Sequence, residues 1–128
     1  MGDEWPKYCR ARDLAVEGNR VAVSFTSGRS QKVAVTDEGE SIRLSAIVAA
    51  RATIAKMVEK PANLAILAWQ RNRATGLVGF RIDERGRLVG EALVPRVGLT
   101  AEEFQIYLRT VASECDRFEF LLTGKDVE

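Results

Sequence analysis

Alternating apolar positions dominate the first half of the chain. Val21, Val23 and Phe25 share one face of a period-two stretch, Val33 and Val35 repeat it, and Ile42, Leu44, Ala46 and Val48 repeat it again. That pattern predicts three strands, each with one buried face. Ser27-Gly28-Arg29-Ser30 and Asp37-Glu38-Gly39-Glu40 separate them, polar and glycine-bearing segments of the length that closes hairpins. Strands joined by such short turns make an antiparallel meander. The period then changes. Ala52 to Val58 reads as a short helix, and Pro61 suits the first turn of a stronger one that runs to about Arg73 and stops at Gly76. Strand character returns in Leu77 to Ile82 and Arg87 to Val94, joined by Asp83-Glu84-Arg85-Gly86 with glycine where a positive φ is required.

The last helix carries the strongest local signals. Thr100 is placed as its N-cap and Glu103, three residues on, completes a capping box, while Leu99 and Phe104 occupy the two positions of a hydrophobic staple. Phe104, Leu108, Val111, Cys115 and Phe118 recur at spacings of three and four, one apolar stripe turned to a sheet. Gly124 stops it, leaving residues 125–128 as a frayed tail. At the other end, Trp5-Pro6 disfavours a helix running through it. Residues 7–17 fit either a short helix or an edge strand hairpinned through Gly18-Asn19, the strand being the better match, so residues 1–20 form an edge segment of open type. The elements add up to an α+β fold: an antiparallel sheet of five or six strands with two main helices packed on it.

Composition narrows the function more than it defines it. With 128 residues, 46% of them hydrophobic and 29% charged, the chain fits one domain over residues 1–128 and is too apolar for disorder. Nineteen Lys and Arg against eighteen Asp and Glu leave +1, so no bulk field draws nucleic acid or an anionic membrane to the molecule. No uncharged run approaches the length that spans a bilayer, and the charged N-terminus lacks the apolar core of a signal peptide. A cytoplasmic location is the expectation.

Candidate chemistry is sparse. The chain has no His, which removes the usual general base near neutral pH and the commonest metal ligand. Cys115 lies on the apolar stripe of the last helix, where a thiol behaves as a small hydrophobe; Cys9 stands beside Lys7 and Arg10, a setting that lowers a thiol pKa, but with no base or orienting group in sight. The carboxylates of Asp37-Glu38-Gly39-Glu40 and Asp83-Glu84 fall on turns without calcium-loop spacing, and no glycine pattern matches a phosphate-binding loop. No catalytic residue, metal or cofactor is therefore expected. Arg71, Arg73, Arg81, Arg85, Arg87 and Arg96 gather around the second hairpin with Trp69 and Phe80, which gives a second reading, a nucleic-acid-binding regulator. Glu84 and Glu91 interrupt that cluster, and a net charge near zero favours a solvated hairpin face instead.

One apolar feature asks for a partner. Leu64 to Trp69 is hydrophobic around the whole helix, so if Leu64 and Leu67 face the sheet, Ile66 and Trp69 must meet something else. Either a segment of the same chain covers them or the same helix of a second copy does. Ile66, Trp69 and Arg73 are thus the candidate dimer or partner interface.

Several stretches together resemble the YbjN family of bacterial proteins: Ser41-Ile42-Arg43-Leu44-Ser45-Ala46, the hairpin from Leu77 to Leu88 with its Gly79-Phe80 and Asp83 to Gly86, Gly98-Leu99-Thr100-Ala101-Glu102-Glu103, and Asp116-Arg117-Phe118. The resemblance covers roughly residues 20–122. It implies the fold of the class I chaperones of type III secretion, a homodimer, no catalytic residues, and a regulatory or chaperone-like role in which an unidentified protein client lies across helix and sheet surfaces. Arg43, Arg81 and Arg87 are then the expected sheet-surface contacts. The chain departs from the pattern in two places: Trp5-Pro6 and an Arg-rich stretch stand where the family begins with an amphipathic helix, and the charge is +1 where secretion chaperones are acidic.

Overall fold

Six strands pair in the order β1-β2-β3-β4-β6-β5, every neighbouring pair antiparallel. The computed structural model describes residues 5–50, 68 and 77–123. The strands are β1 (Leu14–Glu17), β2 (Arg20–Ser24), β3 (Ser30–Asp37), β4 (Ser41–Ala49), β5 (Gly79–Ile82) and β6 (Leu88–Pro95), and the helix α1 spans Ala101–Thr123. The first four follow one another across the sheet as the meander requires. β6 then pairs with β4, and its hairpin partner β5 takes the far edge.

The alternation in the sequence decides which face is covered. Val21 and Val23, Val33 and Val35, Ile42 and Leu44, and Ala92 and Val94 all lie in register on the face that meets α1, and all are buried. The stripe of α1 packs onto them, with Phe104, Leu108, Val111 and Cys115 fully buried and Phe118 set edge-on to Phe80 at a centroid distance of 4.8 Å. Such pairs are favourable beyond the area they cover. The capping box forms: Glu103 N–H donates to Thr100 Oγ1 at 3.1 Å and Thr100 N–H donates to Glu103 Oε1 at 3.2 Å. The helix crosses the sheet over Gly90, where a Cβ would sit 2.5 Å from Cys115 Sγ and 2.8 Å from Phe80 Cε1. Only glycine permits that approach. Gly86, with φ of 77°, closes the second hairpin where the sequence places it, and Asp83 Oδ1 accepts from Arg85 N–H and Arg87 N–H in the same turn.

Two expectations are refined. The edge strand through Gly18-Asn19 is present but starts at Leu14; before it, Trp5–Tyr8 form a single 3-10 turn, with Pro6 in a first turn that needs no N–H from it, and Trp5 and Tyr8 pack on Phe104. β5 starts at Gly79, not at Leu77. β4 also carries an irregularity between Ile47 and Ala49, which turns both Val48 and Ala49 inward and breaks simple alternation. One helix packs on the sheet among the described residues. The expected helices over 52–58 and 61–73 lie outside them, save Ala68, which is helical and buried in the core.

Candidate partner-binding site

β1 is the outer strand on its side of the sheet, and its hydrogen-bond phase follows from one contact. Ser24 N–H donates to Asp13 O at 2.9 Å. In an antiparallel pair the bonded residues alternate, so Ala15 and Glu17 turn their main chain to β2 while Val16 turns its N–H and C=O outward. The Leu14 N–H, which also points away from β2, is taken by Ala11 O at 3.2 Å. The Val16 side chain lies on the helix face and is 40% exposed. Among the described residues no strand pairs with this outer side of β1, which presents a short edge with an apolar side chain.

Beside this edge, α1 and the end of β2 enclose a groove of about 430 Å³, floored by Val23 and Phe25 and walled by Ile106 and Thr110. Ile106 is 59% exposed, an apolar residue placed off the buried stripe. Asp13 and Arg109 lock the rim with two parallel bonds, Arg109 Nε to Asp13 Oδ2 at 2.8 Å and Nη2 to Oδ1 at 3.0 Å. The Arg109 hydrogen bond holds the Asp13 carboxyl below the usual range. Gln105 extends the clamp: its Oε1 accepts from Arg109 Nη2, and its Nε2 donates to Tyr8 O at 2.7 Å, tying the N-terminal segment to α1. The groove is therefore apolar inside, polar at the rim and held in shape by a bidentate pair.

The arginines expected on the sheet surface separate into two groups. Arg43 donates through Nε and Nη2 to Glu38 at 2.7 and 3.2 Å and lies 3.4 Å from Glu91, which also receives Arg81 Nε at 2.8 Å. Arg43 and Arg81 are thus joined through Glu91 across three strands of the face turned away from α1. Arg87 stands apart, bonded to Asp83 at 2.7 Å in the hairpin turn. Arg96 pairs with Asp37. Of the expected Arg cluster, Arg81, Arg87 and Arg96 are each engaged by a carboxylate, an arrangement that does not favour a phosphate backbone. Ile66, Trp69, Arg71 and Arg73 lie outside the described residues.

Cys9 is a correction. It is buried, and burial pushes its thiol up to about 11, opposite to the lowering that Lys7 and Arg10 suggest. Cys115 is buried as expected and pushed up to about 12 by the same cause. Both are free, buried thiols, and the raised pKa of each favours the protonated form near neutral pH. Among the described residues no group of three or more His, Cys, Asp or Glu is placed to hold a metal ion. None of those residues forms a helix long and apolar enough to cross a membrane.

Comparison with known proteins bears on family and fold. The sequence matches the family model YbjN, described as "Putative bacterial sensory transduction regulator", over residues 7–122. No curated protein sequence matches the chain. Among solved structures, it is similar to YbjN from E. coli, at 17% identity and a TM-score of 0.64, covering 97% of this chain and 91% of that one. It is similar to a chain of the heterodimeric ExoU–SpcU complex from the type III secretion system of Pseudomonas aeruginosa, at 15% identity and a TM-score of 0.62, covering 98% and 100%. A chain of the ExsC–ExsE complex matches at 18% identity and a TM-score of 0.58, covering 93% and 88%. At these identities the likeness is one of fold.

Proposed function

The chain belongs to the YbjN family, and from that premise we propose that it is a non-enzymatic, chaperone-like or regulatory domain, working in the cytoplasm as a homodimer that holds an extended segment of a partner polypeptide. The observation that carries this reading is the open β1 edge beside the α1 groove. A segment added alongside β1 gains main-chain bonds from Val16 and sets alternate side chains against Val16 and toward the groove. The fold supports the same reading, since chains of this shape occur in the HopA1–SchA chaperone–effector complex and in the two-protein ExsC–ExsE and ExoU–SpcU complexes. The dimer rests on the sequence of the helix expected over 61–73, where Ile66 and Trp69 call for cover from another segment of the chain or from a second copy, and a second copy is the reading taken here.

Val16→Pro tests the site selectively. Proline removes the outward N–H and leaves the β1–β2 bonds of Ala15 and Glu17 in place, as edge strands tolerate. Tagged wild-type protein retains a partner protein from its own cells at moderate salt, and the proline variant, with an unchanged unfolding midpoint, loses it. Equal recovery by both proteins counts against strand addition at β1.

A further inference from the structure

The sheet face turned away from α1 carries a second concavity, with a different cause and a different lining. β3 and β4 pair only from Ala34 to Asp37 against Ile42 to Ser45. Their other ends, residues 30–33 and 46–49, stay in the sheet through β2 and β6 but part from each other. Gln31 bridges the gap with its side chain, Nε2 donating to Ile47 O at 2.9 Å. The small side chains of Ala34 and Ser45 form the floor, and the resulting hollow measures about 360 Å³.

Arg20, Lys32 and Arg87 line it together with the apolar Ile47 and Val89, and no carboxylate does. Arg20 stands opposite Ala34 and Lys32 opposite Ala22, so the two cations are diagonal neighbours on one face, with Cβ atoms about 7 Å apart. Two long cationic side chains at that spacing close on one tetrahedral oxyanion. Among the described residues Arg20 makes no ion pair. Lys32 has one, to Glu17 at 3.5 Å, with both side chains more than half exposed, a pair worth little in water. Arg87 is held by Asp83 and borders the hollow as one half of an ion pair, leaving Arg20 and Lys32 as its cations.

We propose that this hollow binds a small organic phosphate, the phosphoryl group between Arg20 and Lys32 and the less polar body over Ile47 and Val89. The site needs no protein partner at β1, although Glu17 of that strand reaches Lys32 at its border.

Titration of the isotope-labelled full chain with adenosine 5′-monophosphate, followed by amide chemical shifts at constant ionic strength, tests it. The nucleotide produces saturable shifts at residues 30–34, 45–47 and 87–89, and adenosine alone produces none. The double variant Arg20→Gln/Lys32→Gln, altered only at exposed positions, binds more than about tenfold more weakly. Glu17→Gln, which removes the competing carboxylate, binds about twofold more tightly. Shifts no larger than those from added chloride overturn the proposal, as does an unchanged affinity in the double variant or an equal response to adenosine.

Discussion

Asp13 and Arg109 stand 96 positions apart in the chain, yet they form the tightest side-chain clamp beside the groove. Their consequence for pH follows from the direction of one shift. Arg109 lowers the Asp13 pKa in the folded state, so the clamp's contribution is present above the unfolded value, roughly 3.9, and is lost as pH falls through it toward the folded value. Asp13→Asn therefore melts below wild type at pH 7, and the gap between the two melting temperatures narrows as the pH is lowered through the carboxylate range. A gap that stays constant across that range contradicts the assignment. The thiols belong at the same scale. Lys7 and Arg10 next to Cys9 read as activating in sequence, but burial dominates a thiol's ionisation, and burial is not visible in a neighbour list.

At the scale of elements, the approach of α1 to the sheet hangs on Gly90. A methyl group there meets Cys115 and Phe80, both buried and neither able to swing into solvent. Gly90→Ala is expected to cost about 1–3 kcal/mol, read from urea unfolding, and a variant as stable as wild type overturns the close-packed crossing. Elements of this kind were largely legible beforehand. The period-two runs of β2, β3 and β4, the turn at Asp83 to Gly86 and the Thr100–Glu103 box rest on contacts between residues close in sequence, which local chemistry determines. The strand β1 was legible as an alternative because Gly18-Asn19 marks a hairpin, though the 3-10 turn before it was not. The groove escaped, because Asp13, Phe25 and Arg109 meet only after the sheet and helix have docked. Its one sequence signal was Ile106, an apolar residue on the polar side of the last helix.

For the whole molecule, fold and family agree while the surfaces divide the work. One face of the sheet is spent on α1; the other carries the Arg43–Glu91–Arg81 chain and the cationic hollow; β1 lies at one edge of the sheet. Assembly is the remaining level. If the 61–73 helix pairs two copies, light scattering after size exclusion gives twice the chain mass for wild type and a single chain mass for Trp69→Glu, and a wild-type monomer contradicts the dimer. The central claim concerns the edge strand, and amide hydrogen exchange reads it most directly. Measured on the free chain and on the chain eluted with its captured partner, exchange at the Val16 amide slows in the complex while the Ala15 and Glu17 amides, already bonded to β2, change little. Unchanged exchange at Val16, with protection elsewhere on the surface, contradicts strand addition at β1.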